Sequence, residues 1–133
     1  MKKIIILFIS FLAIYSCSDK EDPIGKWGDN IKLSQKVVNF TAEQNSTVVT
    51  TQGTWWWING IGLNDDWNYD LNEIDTTKDN FVIEEDDFKI ERKNTTEIHI
   101  SMNPNQTGLE RVLLIGLQAG NYGDGIMVIQ AAD

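Results

Sequence analysis

After Ile31 apolar and polar residues alternate mostly with period two, and no convincing amphipathic helix appears. Val38 and Phe40 alternate with Asn39 and Thr41, and Gln44-Asn45-Ser46 then makes a turn. Thr47 to Thr51 is β-branched throughout, a composition that fits a pleated, half-buried surface, and Gly53 breaks it. Trp55 to Ile58 is a further β-favouring run, closed by the turn dipeptide Asn59-Gly60. Phe81-Val82-Ile83 and Phe88-Lys89-Ile90 flank an acidic turn, Glu84 to Asp87. From Glu97 to Met102 the pattern sorts Ile98, Ile100 and Met102 onto one face and Glu97, His99 and Ser101 onto the other. Arg111 to Leu117 places Leu113, Ile115 and Leu117 together, Gly120 to Gly125 reads as a turn, and Ile126 to Ile129 is the last strand. About seven short strands separated by turns predict an all-β fold, an antiparallel β-sandwich over residues 31–133.

The first residues follow a different rule. Lys2 and Lys3 precede an unbroken apolar or small-residue run, Ile4 to Tyr15. A membrane-spanning helix takes about 20 residues, so this run suits the apolar region of a signal peptide. The run ends in Ile14-Tyr15-Ser16-Cys17, which resembles a bacterial lipobox, although Tyr15 is bulkier than the usual residue at its place. The expectation is a lipoprotein signal peptide over residues 1–16, lipidation of Cys17, and membrane attachment through acyl chains. Residues 17–30 then form a charged tether, with Ser18-Asp19-Lys20-Glu21-Asp22-Pro23 at its start. That acidic start looks like the surface-export signals of Bacteroidetes outer-membrane lipoproteins.

Composition narrows the function classes. The chain has 133 residues, 41% of them hydrophobic, enough for one domain with its own core. Its net charge of −9 disfavours nucleic acid, which demands a basic surface. One cysteine and one histidine exclude a disulfide scaffold and a Cys/His zinc site. No nucleophile–base pair, Gly-rich phosphate loop or metal quartet stands out, so neither catalysis nor a cofactor is expected.

The candidate chemistry is aromatic and acidic. In Trp55-Trp56-Trp57, neighbours point to opposite faces of a strand. Trp56, in phase with Ile58, is the expected core tryptophan. Trp55 and Trp57 then face outward together, either bare or covered by the long segment Gly62 to Asn80. A flat indole suits the apolar C–H face of a sugar ring, and its N–H donates a hydrogen bond. In Asn64-Asp65-Asp66-Trp67-Asn68-Tyr69-Asp70-Leu71-Asn72, oxygen-bearing residues alternate with Trp67, Tyr69 and Leu71. Rings to stack on sugar and Asp66, Asn68 and Asp70 to bond its hydroxyls make one reading; a strand or loop with one solvated face makes the other. An EF-hand starting at Asp66 is rejected, because Leu71 and Thr77 replace the required Gly and Glu, which leaves only an irregular calcium site. His99, on a polar face, reads as a surface residue, and Arg111 as the donor of a structural salt bridge or of hydrogen bonds to a turn. Asp75-Thr76-Thr77 resembles an O-glycosylation motif of Bacteroidetes extracytoplasmic proteins.

Ile98-x-Ile100, Asn105, Thr107, Glu110-Arg111-x-Leu113-x-Ile115 and Ile126-x-Val128-x-Gln130 together resemble the BACON domain, the Bacteroidetes-associated carbohydrate-binding often N-terminal family. Leu33-Ser34 with Phe40, Val48 to Thr51, and Trp56-x-Ile58 agree more loosely, so the resemblance spans about residues 31–132. It implies an immunoglobulin-like seven-stranded sandwich that binds glycan or mucin. The long, aromatic and acidic segment Gly62 to Asn80 and the lack of an attached enzyme depart from the family's usual arrangement. The expected protein is a non-catalytic lipoprotein of the outer membrane, exposed at the cell surface. It would bind glycan weakly through Trp55, Trp57, Trp67 and Tyr69, with Asp66, Asn68 and Asp70 supplying hydrogen bonds. The rival expectation is an accessory lipoprotein that docks on an outer-membrane protein partner through the same aromatics.

Overall fold

The computed structural model describes residues 28–133. The signal peptide expected over residues 1–16, Cys17 and most of the tether fall outside the described residues. Every run expected as a strand forms one, so the count is eight: β1 (Val37–Phe40), β2 (Asn45–Thr50), β3 (Trp57–Leu63), β4 (Phe81–Glu84), β5 (Phe88–Lys93), β6 (Glu97–Met102), β7 (Arg111–Ala119) and β8 (Tyr122–Gln130). They make two four-stranded sheets, ordered β1-β8-β7-β3 and β2-β6-β5-β4, and no helix is present among the described residues. The all-β sandwich expected from the alternation is therefore the architecture found. All pairings are antiparallel except β1 with β8, which run parallel in register Val37↔Met127 to Phe40↔Gln130. A parallel pair needs a long crossover; here nearly the whole domain separates the two partners.

The core lies between the sheets and is built from the alternating faces. Ile98, Ile100 and Met102 of β6 meet Leu113, Ile115 and Leu117 of β7, with Ile90, Phe88, Ile126 and Val128 completing the layer. Each such fully buried side chain contributes about 1.5–3 kcal/mol of transfer free energy. Two arginines share these inward phases. Arg111, in phase with Leu113, clasps one end of the sandwich: its Nε and Nη2 donate to Gln130 Oε1 at 3.1 and 2.7 Å, and Nη1 pairs with Asp87. Gln130 in turn donates to the carbonyls of Glu43 and Asn103. The structural role expected of Arg111 is thus realised. Arg92, in phase with Phe88 and Ile90, is buried at the opposite end.

Three expected turns are instead largely strand. Of Gln44-Asn45-Ser46, Asn45 and Ser46 open β2 and pair with Met102 and Ser101. Asn59-Gly60 sits inside β3, where the register with β7 slips between Ile58 and Gly60. The extra residue is a β-bulge: it keeps both Ile58 and Ile61 in the core although three positions separate them. Of Gly120 to Gly125, only Gly120-Asn121 turn the chain; Gly123 and Gly125 lie within β8. These glycines read as breakers in sequence, yet Gly60, Gly116 and Gly125 are direct lateral neighbours across β3, β7 and β8. Side chains folded back over the sheet occupy the space that some of these strand glycines leave. A Cβ on Gly62 would come within 2.8 Å of the Trp67 indole, and one on Gly116 within 2.5 Å of Asn59 Oδ1.

Candidate functional site

The segment from Asn64 to Asn80 leaves β3 through a tight turn, with Asn64 and Asp65 both at positive φ and Leu63 bridged to Asp66. The chain then folds its apolar residues inward. Tyr69, Leu71 and Ile74 pack against the core, and the Tyr69 ring meets Phe88 edge-on with centroids 5.3 Å apart. Burial, with Asp66, Asp87 and Glu85 nearby, raises the Tyr69 phenol above its ordinary pKa. The polar alternates face solvent and are bonded within the loop. Asp66 Oδ1 accepts from the Asn68 backbone N–H at 3.0 Å and from its amide at 2.7 Å, and Asp70 Oδ1 accepts from the Asn72 N–H at 2.8 Å. These are Asx turns, the local bonding that short polar side chains offer a loop. Among the described residues no group of three or more His, Cys, Asp or Glu side chains is placed to hold a metal ion.

The tryptophan run divides by face. Trp56 is 2% exposed and donates its indole N–H to Thr51 Oγ1 at 3.0 Å. Trp55 is 63% exposed and meets the half-buried Trp57 edge-on, with centroids 5.7 Å apart and ring planes at 74°. These two rings wall a cleft of about 750 Å³, whose other lining residues include Thr54, Thr77, Asp79 and Thr95. Threonines and an aspartate therefore line a solvent-open hollow beside two indoles.

Arg92 organises that cleft, although it had no place among the candidate residues. The residue is 1% exposed, and its guanidinium stacks 3.7 Å over the Trp56 ring. It donates to the carbonyls of Thr54 at 2.7 Å, Trp56 at 2.8 Å, Thr95 at 2.9 Å and Lys78 at 3.1 Å. One side chain thus ties together the three chain segments that form the walls. Desolvation lowers its pKa and the negative charge of Asp79 opposes that shift; a guanidinium so far above neutrality stays protonated. The signal for Arg92 was in the alternation of β5, where it falls in phase with Phe88 and Ile90.

Trp67 stands apart from this cleft. Its six-membered ring lies over Gly62, with three ring atoms at 2.8 to 3.0 Å from where a Cβ would be, and it is 54% exposed. It borders a shallow apolar groove of about 360 Å³ on the outer face of the β1-β8-β7-β3 sheet, with Val37, Leu114, Gly116, Gly125 and Met127. Of the seven candidate residues, the structure brings Trp55 and Trp57 together in the cleft. Trp67 lies on the sheet face. Asp66, Asn68 and Asp70 stand on the loop's solvent side, and Tyr69 is tucked against Phe88.

Neither a protein-family model nor the sequence of a curated protein matches this chain. Among solved structures, the chain resembles the NMR structure of a protein from Bacteroides thetaiotaomicron. The TM-score is 0.65 at 19% identity, over 84% of this chain and 94% of that one. A Bacteroides ovatus GH5 xyloglucanase in complex with a XXXG heptasaccharide aligns at TM-score 0.49 and 16% identity, over 77% of this chain and 19% of its own. The first of these likenesses establishes a shared sandwich fold.

Proposed function

We propose that this protein is a non-catalytic, glycan-binding module, held at the outer membrane by acyl chains on Cys17. The observation that carries the reading is the cleft of Trp55 and Trp57. Two indoles at a steep mutual angle, with Thr54, Thr77, Asp79 and Thr95 around them, offer stacking faces and hydroxyl partners in one hollow. Arg92 holds the walls before any ligand arrives, which lowers the ordering cost of binding. Few rings and few polar groups give modest affinity, on the order of micromolar to millimolar, and many copies on one membrane would add avidity. Glycan-array screening of the purified protein, followed by calorimetric titration, tests this. Binding that Trp57→Ala lowers at least tenfold is the expected result; no binding to any host or dietary glycan overturns it.

A second reading, an accessory lipoprotein that contacts an outer-membrane protein, draws on another surface. Val37 and Met127 are exposed side by side on the outer face of β1 and β8, next to the Trp67 groove. Exposed apolar patches of this kind mark interaction sites. A membrane protein co-purified in excess free sugar, and lost on Met127→Asp, would favour this reading.

A further inference from the structure

Trp57, at the cleft's edge, and the Trp67 groove lie on the outward side of β3. Trp57 pairs with Gln118, Gly60 with Gly116 and Gly62 with Leu114, all outward positions of the two strands. The Trp67 indole is seated on Gly62 at the far end. From Trp57 to Gly62 the bulged strand spans four rungs of β7, Gln118 to Leu114, about 13 Å at roughly 3.3 Å per residue. Between the two indoles the bulge turns Asn59 outward, over Gly116, and its amide donates to Gln118 Oε1 at 3.2 Å. Gln118 also donates to the Gly120 carbonyl at 2.9 Å. Each amide carries two donors and two lone pairs, so both retain capacity for a ligand.

From these positions we infer that β3 carries an extended binding strip for an unbranched, uncharged polysaccharide chain, running from the Trp55–Trp57 cleft to Trp67; this rests on the glycan-binding reading above. Three features select that ligand. Indoles stand at both ends with their spacing fixed by a strand, which suits a chain rather than a single sugar. Gly60 leaves no Cβ on the floor beside the Asn59 amide, which covers Gly116, so a flat ring can approach the sheet there. The outward positions of β3 and β7 within the strip carry Trp, Asn, Gln, Gly and Leu, with no ionisable group, on a chain whose net charge is −9. An anionic polymer meets repulsion there, whereas neutral hydroxyls meet amides and ring faces.

The test is calorimetric titration of the purified protein with β-1,4-linked gluco-, xylo- and manno-oligosaccharides, dimer through hexamer. Affinity for at least one series is expected to rise about tenfold with length and then level off once both indoles are covered. Trp67→Ala should abolish that rise and leave dimer binding intact, while Trp57→Ala weakens every length. Trp67 is solvent-exposed, so its truncation leaves thermal unfolding nearly unchanged, and Gly62→Ala, which lifts the indole, should reproduce the loss. Length-independent affinity, or hexamer binding unaffected by Trp67→Ala, overturns the strip while the cleft reading survives. No binding of any oligosaccharide by the wild-type protein overturns the strip; if glycan-array screening is blank as well, the cleft reading falls with it. A membrane protein captured through Trp67 in excess free sugar assigns the face to protein docking and overturns it too.

Discussion

Arg92 shows how one residue can be both cost and constraint. A guanidinium taken out of water is expensive unless its donors are met, and here four carbonyls and an indole face meet them. Arg92→Met should therefore leave several buried carbonyls without partners and lower stability by about 3 kcal/mol in chemical denaturation. Arg92→Lys should recover only part of this, since a compact ammonium cannot reach all four acceptors in a planar fork. The same substitutions should loosen the Trp55–Trp57 cleft, which near-ultraviolet circular dichroism of the tryptophans would register. Much at this scale was legible in the chain. Trp56 fell in phase with Ile58 and is core; Arg111 opened a strand in phase with leucine and isoleucine and is a structural clasp. Alternation, however, assigns a face and not a partner. It could not distinguish Tyr69, drawn onto Phe88, from Trp67, left on the surface, because the difference lies in which way an irregular loop bends.

Among the elements, β3 departs furthest from its sequence signal. Asn-Gly dipeptides favour turns because both residues tolerate positive φ, but neither Asn59 nor Gly60 adopts it here. The competing principle is register. Ile58 and Ile61 both need the core, and one inserted residue between them achieves this without ending the strand. Deleting Asn59 should force either Ile58 or Ile61 outward, and unfolding should lose cooperativity or its midpoint should fall steeply; thermal denaturation followed by tryptophan fluorescence checks this. The loop after β3 obeys simpler rules. Its alternation separates Asp66, Asn68 and Asp70 on the solvent side from Tyr69 and Leu71 on the core, but it misplaces Trp67, which lies on the outer sheet face, and the backbone is not a strand. The Thr76 hydroxyl donates to the Ile58 carbonyl at 2.9 Å, so the loop also covers the outer edge of β3. An edge blunted this way is protected from pairing with a second chain.

For the whole molecule, alternation and turn residues were enough to give the class, since antiparallel sandwiches write their two faces into every strand. Sheet order and the parallel β1–β8 pair were not legible, because they depend on contacts between residues far apart in sequence. Charge sets the response to pH. Bonds from Thr77 hold the Asp75 carboxyl below its ordinary range, bonds from Lys93 and then Lys89 do so for Glu91, and His99 does the same for Glu97. Folded values below unfolded ones mean that this stabilisation is whole above the unfolded values and is lost as pH falls through the folded ones. Lys36 beside Asp124 and Lys89 beside Glu91 are raised above 10.5, so their share persists through neutrality and fades only above it. Urea midpoints measured against pH should thus be flat near neutrality and drop below about pH 4.5 and above about pH 10.5, with smaller drops in high salt. The side-by-side alignment of β1 and β8 bears on mechanics. Tension transmitted through residues preceding Val37 and following Gln130 would slide these two ribbons past each other, so that their inter-strand bonds must rupture together instead of unzipping singly. Under the proposed anchoring, a module of this build would resist being pulled apart by drag along its own axis.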